Sequence, residues 1–210
     1  MPELPEVETV RRGLAHFLTG YTFRSSQDLH PRVLKPASIA PLSAVIGARI
    51  KGVNRRGKFL WFELDRDQAL VAHLGMSGQF LVARKDRPEP GHVRARFTLK
   101  KGLKSHELVF SDQRTFGWLS VEELTDGVPT SALHIAVDPF DPAFDRHAVI
   151  AKMKSRKAAI KSVILNQEIM SGVGNIYADE SLWRAKIHPE IAASDLSVKK
   201  IGSLVDAATQ

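Results

Sequence analysis

Val93-Arg94-Ala95-Arg96-Phe97-Thr98-Leu99-Lys100 sets an apolar side chain at every other position and a charged or polar one between. A period of two belongs to an extended strand with one face buried and the other in water. Similar short apolar or alternating runs, broken by glycine, proline and charged turns, extend from Tyr21 to Val121. They read as antiparallel strands. Phe59 to Leu64 is the clearest, Ala69 to Leu74 and Gln79 to Val82 flank the turn Gly75-Met76-Ser77-Gly78, and Glu107 to Phe110 and Trp118 to Val121 complete the set. The expectation is a β-rich domain built as a sandwich.

On either side of this region the period changes. From Pro5 to Leu18, Val7, Val10, Leu14 and Phe17 recur at helical spacing, with Pro5 suited to the first turn, Glu6 and Glu8 near the positive end, and Gly20 as the stop. Periodicity is lost around Pro129 to Pro142, where Asp138-Pro139-Phe140-Asp141-Pro142 reads as a linker or rigid turn. Beyond it the pattern predicts helices over His147 to Lys154, Ala158 to Gln167, Ile176 to Ala185 and Val198 to Ala208. The fold class is therefore α+β: an N-terminal β-sandwich with its own leading helix over 1–135, then a helical domain over 136–210.

The 210 residues, 43% of them hydrophobic, are enough to bury a real core. A formal charge of +7 favours a polyanionic partner such as nucleic acid. With no cysteine, disulfides and thiolate metal sites are excluded, and any zinc would need histidine and carboxylate alone. No run reaches the roughly eighteen apolar residues of a membrane span, and the acidic start is unlike a secretory signal. No membrane association and a cytoplasmic location are expected.

The chain opens Met1-Pro2-Glu3-Leu4-Pro5-Glu6-Val7-Glu8. If Met1 is removed, Pro2 becomes a secondary amine with a pKa of about 8, nucleophilic at neutral pH and suited to attack a carbonyl-like sugar carbon. A frayed acidic tail would look the same in isolation. The following helix argues against fraying, because it anchors Pro2 and Glu3 ahead of a rigid element. Lys58 follows Gly57 at the mouth of a strand, an ordinary place for a solvated lysine. Together with Pro2 and Glu3, though, it supplies the amine nucleophile, carboxyl acid/base and second proton carrier of a Schiff-base elimination.

Two large apolar groups, Met76 and Phe116, sit on glycine-containing loops, the second two residues from Arg114. Turn side chains often fold back onto a core, but apolar wedges beside an arginine are also the means of prising open a base step and filling the gap left by an extruded nucleotide. Eight basic residues crowd the stretch from Arg84 to Lys104, interrupted by Asp86, Glu89 and His92, while Lys152, Lys154, Arg156, Lys157 and Lys161 form a second cluster with no acid inside it. Each reads as a solvated face or as a phosphate surface whose binding falls with salt. Ser171-Gly172-Val173-Gly174-Asn175-Ile176-Tyr177 joins two predicted helices, with Asn175 a candidate N-cap at a ready anion site.

Taken together, these motifs resemble the formamidopyrimidine-DNA glycosylase family of bacterial base-excision enzymes, across essentially the whole chain. The Met1 to Leu14 stretch, Arg56-Gly57-Lys58, His73-Leu74-Gly75-Met76-Ser77-Gly78, the Arg114 to Gly117 loop and Gly172 to Tyr177 match in order and spacing. The resemblance implies a β-sandwich followed by a helix-two-turn-helix domain, with double-stranded DNA carrying oxidised purines or abasic sites between them, and a monomeric enzyme. It assigns Pro2 as the nucleophile at C1′, Glu3 as proton donor and Lys58 as a support for β-elimination, with Glu6 a family acidic residue nearby. Met76, Arg114 and Phe116 would fill the vacated space, His73, Lys58 and Asn175 would hold phosphates, and His92, Arg114 and Lys157 are further DNA contacts. Family members continue into a four-cysteine zinc finger, whereas these 210 residues contain no cysteine, so no cofactor is expected of this polypeptide.

The expected function is that of a bifunctional DNA glycosylase and abasic-site lyase. A non-catalytic or weakly active duplex-binding module is the alternative. A tautomerase-like enzyme using N-terminal proline on small carbonyl compounds is a third reading, against which the two basic clusters weigh.

Overall fold

The computed structural model describes residues 2–83 and 90–209. Met1 and the Arg84, Lys85, Asp86, Arg87 and Glu89 part of the first basic stretch lie outside the described residues. The chain divides into two compact units, Met1–Leu133 and His134–Gln210.

The first unit begins with helix α1 (Leu4–Leu18), one residue earlier than its apolar period suggests, because Glu3 caps it. The Glu6 carboxylate accepts the Glu3 N–H at 2.9 Å, closing a capping box that fixes the first turn. Leu4, Val7, Leu14 and Leu18 form its buried face. Phe17, expected on that face, is instead 50% exposed, since Leu18 takes the inward position at the helix end.

Among the described residues nine strands follow: β1 (Thr22–Asp28), β2 (Ile50–Arg56), β3 (Phe59–Leu64), β4 (Gln68–His73), β5 (Gly78–Ala83), β6 (Val93–Lys101), β7 (Lys104–Asp112), β8 (Trp118–Thr125) and the short β9 (Val128–Pro129). They form a four-stranded sheet in the order β1-β6-β7-β5 and a five-stranded sheet in the order β2-β3-β4-β8-β9, with neighbours antiparallel. Ala95, Phe97 and Leu99 of the alternating run are buried, as its period requires. They join a core in which Phe23 meets Phe62 and Phe97 edge-on, at 6.3 and 5.5 Å between ring centres. The five-stranded sheet also buries Trp61, Ala69 and Val71 on its other face, so β3 and β4 read as nearly continuous apolar runs instead of alternating.

The second unit holds α2 (Arg146–Lys154), α3 (Ile160–Ile164), α4 (Asn175–Ala185) and α5 (Val198–Ala208) around Met153, Ile160, Ile164, Met170, Leu204 and Val205. Asp145 caps α2 by accepting the Ala148 N–H at 3.0 Å, and Ser197 caps α5 by accepting that of Lys200 at 3.2 Å. α3 is shorter than the predicted Ala158 to Gln167. At its front the backbone is drawn out into an antiparallel bridge between Ala159 and Ala192, and at its rear the chain leaves the helix for a turn organised by Gln167. Among the described residues no helix is long and apolar enough to cross a membrane.

Candidate functional site

The N-terminal end of α1 is fixed by its side chains. Glu8 accepts hydrogen bonds from Arg11 at 2.8 Å, Arg12 at 2.7 Å and Arg55 of β2 at 2.7 Å, while Arg11 also donates to the Val53 carbonyl at 3.1 Å. The Arg11 hydrogen bond above all, with those of Arg12 and Arg55, outweighs burial and holds the Glu8 carboxyl down to about 2. This clamp ties α1, headed by Pro2 and Glu3, to β2 of the β2–β3 hairpin. Glu3 is only 1% exposed, and Pro2 is half-buried.

The hairpin turns through Gly57, whose φ of 54° is one that glycine adopts without strain, and delivers Lys58 into the same neighbourhood. Burial pulls the Lys58 ammonium below the usual lysine value, against the opposing attraction of the Glu3 carboxylate. Glu3 and Lys58, 55 residues apart in the chain, are therefore electrostatic neighbours.

His73 closes β4, directly opposite Phe59 on β3 and Trp118 on β8. It stacks on Trp118 with ring centres 5.7 Å apart and planes 12° from parallel, and meets Phe59 at 5.4 Å. The Lys35 ammonium lies 4.2 Å from the centre of the Trp118 ring. Burial first, then the positive charges of Lys58 and Lys35, hold the His73 imidazole down to about 4. Its Nδ1 accepts the Gly75 N–H at 3.2 Å, so the neutral ring carries its proton on Nε2. A neutral N–H donor next to a lysine suits an anionic oxygen.

Met76 and Phe116 both stand in water, 42% and 56% exposed, and the Arg114 guanidinium lies 5.6 Å from the centre of the Phe116 ring. Their loops touch backbone to backbone: a Cβ on Gly75 would fall 2.5 Å from Gly117 N. His92 is exposed, with a φ of 58°, and its carbonyl accepts the Asp112 N–H at 3.0 Å beside the second loop.

In the second unit the glycine turn is tied together by Gln167. Its side chain donates to the carbonyls of Leu165 and Val173, both at 2.9 Å, and accepts the Gly172 N–H at 2.8 Å. The expected N-cap is corrected by one residue: extended Gly174 is the cap, and Asn175 is the first residue of α4. Lys152, Arg156 and Lys157 are exposed, but two members of the cluster serve the fold: Lys154 donates to the carbonyls of Ser194 and Leu196, and Lys161 pairs with Asp179 at 2.6 Å. The first basic stretch is thinned in the same way, since Arg96 pairs with Glu107 at 2.6 Å and Arg94 bonds the Asp112 carbonyl at 2.8 Å. Among the described residues no three histidine, cysteine or carboxylate side chains converge as metal ligands.

Family models match the chain in two places, the formamidopyrimidine-DNA glycosylase N-terminal domain over residues 1–119 and the H2TH domain of the same enzymes over residues 135–210. The chain belongs to the formamidopyrimidine-DNA glycosylase family. It is 48% identical to the formamidopyrimidine-DNA glycosylase of Acidothermus cellulolyticus, covering 99% of this chain and 73% of that one, and 48% identical to that of Mycobacterium avium, covering 99% and 75%. Among solved structures it is similar to Lactococcus lactis formamidopyrimidine-DNA glycosylase bound non-covalently to DNA containing an abasic site, with a TM-score of 0.82, 32% identity, and 99% and 78% of the two chains covered. MutM in complex with DNA containing carbocyclic 8-oxo-G matches with a TM-score of 0.83, 32% identity, and 99% and 76% covered.

Within this family frame, four residues near the site escape a reading of the sequence. Glu8 passes for a surface helix residue, Lys35 and Trp118 have no motif of their own, and Asp112 looks like a turn residue. Only a strand register that sets Trp118 opposite His73 reveals the stack, and only the paired ends of β5 and β7 reveal what Asp112 holds.

Proposed function

We propose that the chain acts in base-excision repair as a DNA glycosylase with abasic-site lyase activity, working on double-stranded DNA by covalent catalysis from Pro2. The observation that carries this reading is that a buried Glu3 carboxyl, at the fixed head of the helix that begins two residues after Pro2, lies near enough to act on the charge of a Lys58 amine drawn down by burial. The DNA-bound family structures with abasic and 8-oxo-G lesions support the substrate class of oxidised purines and abasic sites.

With Met1 removed, the Pro2 nitrogen bonds to C1′ as the bond from C1′ to the base breaks and its electron pair leaves with the base. The Glu3 carboxylate takes the proton that the nitrogen loses and passes it to the ring oxygen as the bond from C1′ to that oxygen breaks, which leaves the opened sugar as an iminium, while the departing base takes a proton from water. Lys58, in its neutral form, accepts the proton from C2′. The freed pair forms the C2′=C3′ bond and the 3′ phosphate departs, which is β-elimination. Met76, Arg114 and Phe116 fill the gap in the duplex. His73, through its Nε2–H, together with Asn175, His92 and Lys157, holds phosphates.

Borohydride reduction with abasic and oxidised-purine duplexes, followed by peptide mass mapping, tests this. The expected product carries the reduced sugar on the Pro2 nitrogen, and protein that retains Met1 forms none. An adduct on a lysine, or duplex binding with no adduct from protein that begins at Pro2, overturns the proposal.

A further inference from the structure

The side chains of Met76 and Phe116 project into water with no core to hold them, so their positions are set by the backbone of their loops. One buried carboxylate organises both. Asp112, fully buried at the end of β7 and paired with Gly78, accepts the Ser77 hydroxyl on Oδ1 at 2.5 Å and the Arg114 N–H on the same oxygen at 3.2 Å. Its Oδ2 accepts the Gly117 N–H at 2.7 Å. Ser77 Oγ accepts the Arg114 N–H as well, at 3.0 Å. The carboxylate thus grips the residue after Met76 and two residues that bracket Thr115 and Phe116. Thr115 adopts a φ of 55°, a conformation disfavoured for a β-branched residue, and the bonds to its neighbours on both sides hold it there. No slack remains around the grip, since a Cβ on Gly117 would lie 2.8 Å from the Phe110 ring and 3.0 Å from Asp112 Oδ2.

We propose that Asp112, acting through Ser77 and the N–H groups of Arg114 and Gly117, is a positioning residue that sets Met76, Arg114 and Phe116 as one preformed wedge for entering duplex DNA. This rests on the glycosylase reading above and adds to it a residue that touches neither the DNA nor the reacting atoms. Preorganisation is the reason for the arrangement: loops that had to order on binding would lose that ordering free energy from every encounter with a duplex. In Asp112→Asn the amide oxygen can serve Ser77 and Arg114 or it can serve Gly117, and the N–H₂ group is then set against the N–H of Gly117 or of Arg114.

The test compares borohydride trapping of one abasic site in duplex and in single-stranded DNA, where no stacked step has to be opened, using protein that begins at Pro2. Asp112→Asn should slow duplex trapping about 10–100-fold and single-strand trapping by no more than about twofold, a split that loss of folded protein would not produce. A 2-aminopurine next to the site should lose its unstacking signal in parallel. Ser77→Ala leaves β7 intact and should show the same split at smaller size, and it decides the matter if Asp112→Asn does not fold. Equal losses on both DNAs, or none on the duplex, overturn the proposal while the glycosylase reading stands. A wild-type chain that traps neither DNA overturns both.

Discussion

Acidification is expected to weaken the first unit through a single imidazole. His73 is held to about 4 in the folded chain against an ordinary value of 6.5, because it is buried against Trp118 and Phe59 and faces the ammonium groups of Lys58 and Lys35. Between those two values the unfolded chain binds a proton that the folded chain refuses, so stability falls as pH falls from about 6.5 to about 4 and levels off below. At about 1.4 kcal/mol for each pH unit in that window, the loss is on the order of 3 kcal/mol. Urea unfolding of the wild type and of His73→Gln, measured from pH 7 to pH 4, isolates this contribution because other titrating groups are common to both. The wild type should lose about 3 kcal/mol more than the variant across the window. An NMR titration of the His73 ring should give a midpoint near its folded value, with the proton on Nε2 throughout the neutral range. A midpoint at the ordinary histidine value, or parallel stability curves for the two proteins, would refute both the burial argument and the neutral-donor role.

Glu8→Gln removes the charge that Arg55 and Arg11 share and should cost about 2 kcal/mol, nearly all through the buried Arg55, as read by denaturant unfolding at neutral pH. That cost should vanish in the wild type's own comparison as pH drops from the ordinary glutamate range toward 2, since the folded carboxyl is held to about 2. Gly75→Ala should destabilise by about 2–3 kcal/mol, because its Cβ would collide with Phe116 and Gly117 at a left-handed φ of 59°. Gly13→Ala should do the reverse, raising stability by about 1 kcal/mol, for Gly13 lies within α1 with nothing inside 4 Å of its Cβ position. Phe116→Ala should leave the unfolding midpoint nearly unchanged, since the ring is 56% exposed, yet slow trapping on duplex DNA. An unfolding transition that moves as far as the trapping rate would show that the ring serves the fold.

The order of elements was legible in the residues: Phe59–Leu64 is a strand and Val198–Ala208 a helix at the bounds their periods predict, because an apolar face must be buried whatever the partner. β1 and β2 were not legible, since Thr22–Asp28 and Ile50–Arg56 are mostly polar and are strands because a neighbour's backbone pairs with them. Among the site residues, Pro2, Glu3, Lys58, Met76, Arg114 and Phe116 announced themselves by chemistry or by an odd position in the chain. Which basic side chains stay exposed was not announced, because Arg96, Lys154 and Lys161 find partners only after folding. The sequence by itself determined the chemical inventory and the local periods, which depend on each residue and its near neighbours. Tertiary structure alone decided that Glu3 and Lys58 are electrostatic neighbours, that His73 is neutral and that one buried carboxylate holds two loops, because electrostatics and hydrogen bonding act through distances in space that the chain order does not specify.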